Sequence, residues 1–136
     1  MQTSVDEKYL HSEITSKILQ SFYTVYNQFR FGFPKAVYVN SMLIELNKLG
    51  LNCECRKVVK VFYDQQEVGE CETEIIVDNC VAINIETKEQ IAIDDELKIY
   101  YLLRVSELEV GLFLNFGKVP YHKRKHFPAE AKLKLK

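Results

Sequence analysis

Four cysteines, three histidines and a C-terminal run of cations are the residues whose types suggest chemistry first. Zinc is normally held by four converging ligands, often from Cys-x-x-Cys pairs on tight turns. Here Cys53 and Cys55 are two apart in a strand-like stretch, so they share one strand face. Cys71 and Cys80 lie nine apart and flank another such stretch. That spacing makes no zinc knuckle, and free thiols are the expected state. His11, His122 and His126 lie in terminal regions and read as lone surface histidines. From 118 onward, Lys118, Lys123, Arg124, Lys125, Lys132, Lys134 and Lys136 face a single acid, Glu130, for a local charge of +6. Such a cluster fits either a solubilising, frayed end or contact with phosphates and acidic partners. Within it, Tyr121-His122-Lys123-Arg124-Lys125-His126-Phe127 sets aromatics beside cations, which suits base stacking or a protein interface. Nothing resembles a phosphate-binding loop, a Ser-His-Asp triad or a haem motif.

The rest of the chain must position these groups. Its 136 residues carry 18 Lys plus Arg against 19 Asp plus Glu and are 47% hydrophobic. That fits one domain with a sizeable core and excludes global disorder. The overall charge of -1 leaves the first 116 residues at -7, which argues against broad affinity for nucleic acid. No apolar run reaches the ~20 residues of a membrane span. The first residues show no basic segment followed by an apolar block, so an intracellular, reducing setting is expected.

Apolar residues at three- and four-residue steps predict a helix from about Val5 to Phe29. Phe31-Gly32-Phe33-Pro34 ends it. A second helix is predicted from about Pro34 to Leu49, with Pro34 at its first position and Gly50 as its C-terminal cap. Residues 52–63, 70–78 and 80–87 read as strands. A turn is expected over 64–69, and Asp78-Asn79 suits a tight hairpin. A helix over about 94–106 and a nearly all-apolar strand over 109–116 follow. The expectation is one α/β domain of order α-α-β-β-β-α-β over residues 1–117, with a mixed sheet flanked by helices, then a basic tail over 118–136.

Several words along this order resemble one family. Gly32-Phe33-Pro34-Lys35-Ala36-Val37-Tyr38 is similar to the G-x-x-E-x-x-Y signature of the GxxExxY proteins, a branch of the PD-(D/E)XK nucleases. Lys57-Val58-Val59-Lys60-Val61-Phe62-Tyr63 with Val68-Gly69-Glu70 resembles that family's first hairpin, and Val110–Gly117 its VGLLINFG ending. The resemblance covers about residues 14–117 and implies a restriction-endonuclease-like core. In active members it implies phosphodiester hydrolysis with Mg²⁺ or Mn²⁺ held by a strand-two Asp and a strand-three Glu. A Lys two residues beyond that Glu completes the site. Hard oxygen ligands suit these ions, which activate water and offset charge on the leaving oxygen.

Carried over by position, the signature Glu is here Lys35, and the strand-two Asp is Glu74. The strand-three Glu-x-Lys is Asn84-Ile85-Glu86, and a Gln on the next helix is Lys98. An upstream His is Tyr26. The metal-binding Glu has become an amide, and the cation an acid. The main expectation is therefore a catalytically inactive nuclease fold, without a metal, acting as a binding or structural subunit for nucleic acid or protein. Lys118, Lys123, Arg124 and Lys125 are its candidate contacts. An alternative is a migrated site in which Glu74 and Glu86 hold Mg²⁺ or Mn²⁺ and Lys35 or Lys98 supplies the positive charge. Another is a homodimeric interaction module, suggested by eight Tyr and eight Phe, among them Tyr100-Tyr101. A Lys35–Glu74 or Lys98–Glu86 ion pair is expected wherever a cation has been lost from clustered acids.

Overall fold

The computed structural model describes residues 10–132. Two helices open the chain, α1 (Ser12–Phe29) and α2 (Lys35–Lys48). Then come β1 (Cys53–Tyr63), β2 (Gln66–Val77) and β3 (Val81–Glu86), followed by α3 (Ile93–Val105), β4 (Val110–Phe116) and β5 (Pro120–His126). The five strands lie in the order β1-β2-β3-β4-β5. β3 and β4 are parallel, with α3 as their crossover, and the other neighbours are antiparallel. The mixed α/β sheet with flanking helices is as expected from the sequence.

Each element follows from local chemistry. Ile18, Phe22, Val25 and Tyr26 form the buried stripe of α1. Arg30 and Gly32 take positive φ (58° and 126°), which stops α1 and turns the chain into α2. Pro34 sits one place earlier than expected, capping α2 rather than starting it. Gly50, at φ 83°, ends α2, and the Leu51 N–H returns to Leu46 O at 3.1 Å. Asp78 and Asn79 both adopt positive φ (51° and 57°), as a tight hairpin requires.

Both faces of the central strands are covered. Ile75, Val77, Ile83 and Ile85 join Phe22, Tyr38, Met42 and Phe116 in the core under α1 and α2. Ile76 and Ala82 meet Ile99 and Leu102 of α3 in a second cluster. β4 is buried at every position, which explains its unbroken apolar run. Gly111 lets α3 approach β4, since a Cβ there would lie 2.4 Å from Ile99 Cγ1.

Two expectations need correction. The turn after β1 is only Asp64-Gln65, both at positive φ (52° and 63°), so β2 begins at Gln66. The polar Gln65-Gln66-Glu67 looks like loop because an exposed ribbon has no apolar face to mark it. The second correction concerns 118–136. Residues 120–126 are no frayed tail but an edge strand paired along all of β4, from Val110↔His126 to Phe116↔Pro120. Its cations hid it, since long charged stems can cover a sheet while their heads seek partners. Lys134 and Lys136 lie outside the described residues. No described helix is long and apolar enough to cross a membrane.

Candidate functional site

The β2–β3 ladder runs only from Val77↔Val81 to Ile75↔Ile83. Beyond it the two strands part, and side chains replace the missing ladder bonds. Thr73 Oγ1 donates to Ile83 O at 2.7 Å, and Glu74 Oε1 accepts from the Ile85 N–H at 2.8 Å. The splay holds the Glu74 carboxylate beside β3 with its second oxygen turned to a partner outside the sheet. Asn84 and Glu86 share one face of β3 by strand alternation.

Lys35, the first residue of α2, reaches into this gap. Its Nζ lies 3.3 Å from Glu74 Oε2 and 3.9 Å from Glu86 Oε1. Lys98 of α3 closes the row, 3.6 Å from Glu86 Oε2. Both ion pairs expected from the sequence, Lys35–Glu74 and Lys98–Glu86, are present. Four charges thus alternate Glu74, Lys35, Glu86, Lys98 and sum to zero. A cation at a helix N-terminus is disfavoured by the macrodipole, and the two carboxylates offset that cost at Lys35. Asn84 is 95% buried beside this row, and its Oδ1 has no hydrogen-bond partner among the described residues.

The other residues of the family-like words are structural. Tyr38 is fully buried, donates its hydroxyl to Arg30 O, accepts from the Phe33 N–H at 3.2 Å and stacks on Phe116. It locks the α1–α2 corner that presents Lys35. The Tyr26 hydroxyl lies 2.9 Å from Gly117 O and 2.7 Å from Lys118 O, pinning the β4–β5 turn.

A second polar cluster sets the height of Lys98, and sequence reasoning missed it. Asp95 is buried in the first turn of α3, where it accepts from Lys88 Nζ at 2.5 Å and from the Ala92 N–H at 2.9 Å. The Lys88 ammonium holds its carboxyl below the usual carboxylate range, against the opposing effect of burial. Asn115 clasps the Lys88 backbone on both sides, Oδ1 to N at 2.9 Å and Nδ2 to O at 2.8 Å. Gly117 leaves room for this, because a Cβ there would fall 2.5 Å from Lys88 O. Together they fix the β3–α3 connection between Glu86 and Lys98. The available signals were an acid three places after Ala92 and an Asn in an otherwise apolar strand.

The candidate contacts on the basic segment do not form an open cationic field. Lys118 pairs with Glu89 at 3.1 Å and Lys125 with Glu96 at 3.3 Å. Arg124 Nη2 donates to Leu10 O at 3.0 Å, and burial lowers its guanidinium pKa. The Tyr121 hydroxyl donates to Glu96 at 2.8 Å, which raises its pKa. Lys132 Nζ donates to Leu103 O and Leu108 O at the end of α3, and burial lowers its pKa. Lys123 is exposed, with no ion pair among the described residues. His122 Nδ1 lies 3.1 Å from the Tyr23 hydroxyl, and His126 Nε2 4.0 Å from Glu109. His11 sits at the start of α1 at φ 56°. All four cysteines are free. Burial raises Cys53 to about 11 and raises Cys71 as well.

Over residues 12–127 the chain matches the sequence profile described as the PD-(D/E)XK nuclease superfamily. No curated protein sequence matches it. Among solved structures, that of SSO0001 resembles it at 10% identity with a TM-score of 0.49. The likeness covers 68% of this chain and 52% of that one, so this chain spans about half of that protein's length.

Proposed function

Since the chain belongs to the PD-(D/E)XK nuclease superfamily, we propose that it is a catalytically inactive member that keeps the fold as a binding or structural subunit. The observation that carries this reading is the Lys35 ammonium within 4 Å of both Glu74 and Glu86. The superfamily implies Mg²⁺ or Mn²⁺ at this position. The residues present do not fit one. A divalent ion is held by clustered anions, whereas these two carboxylates are already neutralised by two ammonium groups. The third donor is a neutral amide, and no group of three or more His, Cys, Asp and Glu among the described residues could hold a metal. We derive no hydrolytic step for this chain.

Gly32 and Tyr38, at the spacing of the G-x-x-E-x-x-Y signature, support a place beside the GxxExxY branch with the acid exchanged for Lys35. The pairing of Lys118 and Lys125 with carboxylates and of Arg124 with a backbone carbonyl favours a protein partner over nucleic acid, because phosphate binding needs cations free to replace counterions. The competing reading is an active site that has migrated. It draws on Glu74 and Glu86 already sharing one cation and on the unpartnered Asn84 Oδ1.

Cleavage of single- and double-stranded DNA and RNA in Mn²⁺, measured beside the Glu74→Ala, Glu86→Ala double variant, separates the two. The expected result is no cleavage above the variant. Cleavage present in the wild type and lost in the variant overturns the inactive reading.

A further inference from the structure

The β1–β2 ribbon outgrows the sheet. β1 pairs with β2 from Cys53↔Val77 to Tyr63↔Gln66, while β3 pairs with only Ile75–Val77 of β2. The outer ribbon therefore has no third strand and projects roughly 20 Å. A lone two-stranded ribbon is marginal in water. At its base, Val59 and Cys71 pack against the cluster of Ile76, Ile99 and Leu102. Farther out its apolar side chains are uncovered: Val58 is 39% exposed, Phe62 37%, Tyr63 72% and Val68 63%. β1 is also a sheet edge. Edges are normally guarded by charge or proline. β1 has no proline, its lysines pair within the chain, Lys57 with Glu54 at 3.9 Å and Lys60 with Glu67 at 3.5 Å, and its remaining cation, Arg56, stands at the inner end of the exposed edge at φ 53°.

We propose that the outer edge of β1 pairs antiparallel with the β1 edge of a second copy of this chain, joining two sheets across a two-fold axis. The sequence of the edge selects that occupant. With the axis at Val59, Lys57 lies opposite the partner's Val61 and Val58 opposite the partner's Lys60, so no lysine faces a lysine. A register with Lys57 facing Lys60 sets like charges together. In the Val59 register, Phe62 and Tyr63 come alongside the partner's Arg56 and the partner's Cys55. Arg56 and Cys55 border a cavity of about 420 Å³ floored by Val39 and Leu43 of α2, large enough for an aromatic ring. The charges agree as well. Asp64 at the ribbon tip and Arg56 at the cavity have no ion pair among the described residues, so the tip of one copy brings an acid toward a cation of the other. Pairing of residues 57–61 about the axis adds about four to six backbone hydrogen bonds between copies. The pairing gives the proposed binding role a partner and rests on that reading only for its purpose. Its test measures mass rather than cleavage, so the two fail separately.

Sedimentation velocity of the full chain from about 1 to 200 µM tests the pairing. The expected result is a mass rising from 15.9 kDa toward twice that value. Val58→Lys with Phe62→Lys sets each new ammonium opposite the partner's Lys60 or the partner's Arg56, and self-association is expected to weaken by at least about tenfold. Both side chains are solvent-accessible, so circular dichroism is expected to be unchanged. Phe62→Lys alone serves if the pair perturbs folding. Tyr101→Glu, 47% exposed on α3, is expected to leave the association intact. A monomer at every concentration overturns the proposal. So does a dimer whose dissociation constant is unmoved by the β1 substitutions.

Discussion

Replacing Lys35 with methionine removes one charge and keeps the side-chain length. In the wild type its ammonium lies 3.3 Å from Glu74 and 3.9 Å from Glu86. The Lys35 side chain is 41% exposed, so solvent screens both pairs and each contributes about 0.5–1 kcal/mol. Relief of a cation at the α2 N-terminus returns about 0.3 kcal/mol. The net loss is about 1 kcal/mol, or about 4 °C in Tm for a domain of this size. The variant leaves Glu74 without a cation and Glu86 with Lys98 alone, with Asn84 on the same strand face as Glu86. Two carboxylates and an amide oxygen are expected to bind Mn²⁺ with Kd near ~1 mM. At about 10 mM Mn²⁺ that stabilises the variant by about 1.4 kcal/mol. In the wild type the ion must displace Lys35, which weakens binding about fivefold and reduces the gain to about 0.6 kcal/mol. Thermal melts at matched ionic strength measure both. The expected result is a variant that melts about 4 °C lower without metal and gains roughly twice the wild-type shift with it. Raising NaCl is expected to narrow the metal-free gap. Equal Mn²⁺ shifts in the two proteins, or a variant as stable as the wild type, refute the reasoning that Lys35 stands in for a cation.

Asp95 has a depressed folded-state pKa, so between that value and its ordinary one the unfolded chain binds the extra proton. Its contribution is therefore present above the ordinary carboxylate pKa and lost as pH falls through the folded value. In urea titrations across acid pH, Asp95→Asn is expected to flatten this limb relative to wild type. Gly111→Ala drives a Cβ to 2.4 Å from Ile99 Cγ1 and is expected to cost about 1–3 kcal/mol. In an Ile99→Ala background the same substitution is expected to cost less, which a double-mutant cycle in urea measures. Timed alkylation near pH 8, read by peptide mass spectrometry, is expected to modify exposed Cys55 at least about tenfold faster than Cys53, whose thiol is raised to about 11.

Periodicity alone located α1, α2 and α3, because one face of each meets the sheet and repeats every three or four residues. β4 was legible for the opposite reason: helices cover both its faces, so nearly every position is apolar. β5 was not, because an edge strand needs no apolar face when its lysines and arginine reach carboxylates and carbonyls. The candidate site was legible only through the family-like words, which marked Lys35, Glu74, Asn84, Glu86 and Lys98. Lys88, Asp95 and Asn115 escaped because no single element contains their partnership.

By itself the sequence determined the local conformations and the stock of charges: where helices run and end, where Gly32 and Gly50 turn the chain, and that an acid and a lysine stand where the superfamily's chemistry has others, while α1 begins only at Ser12 rather than near Val5. Only the tertiary structure decided which charges meet. Lys35 and Glu74 are 39 positions apart, and Lys98 reaches Glu86 across a crossover connection. Their meeting depends on β2 and β3 parting after Ile75↔Ile83, on Tyr38 holding the α1–α2 corner, and on Asp95 and Asn115 tying down the β3–α3 connection. Electrostatic energy depends on separation in space, and separation in space is what the chain acquires only when its sheet is assembled.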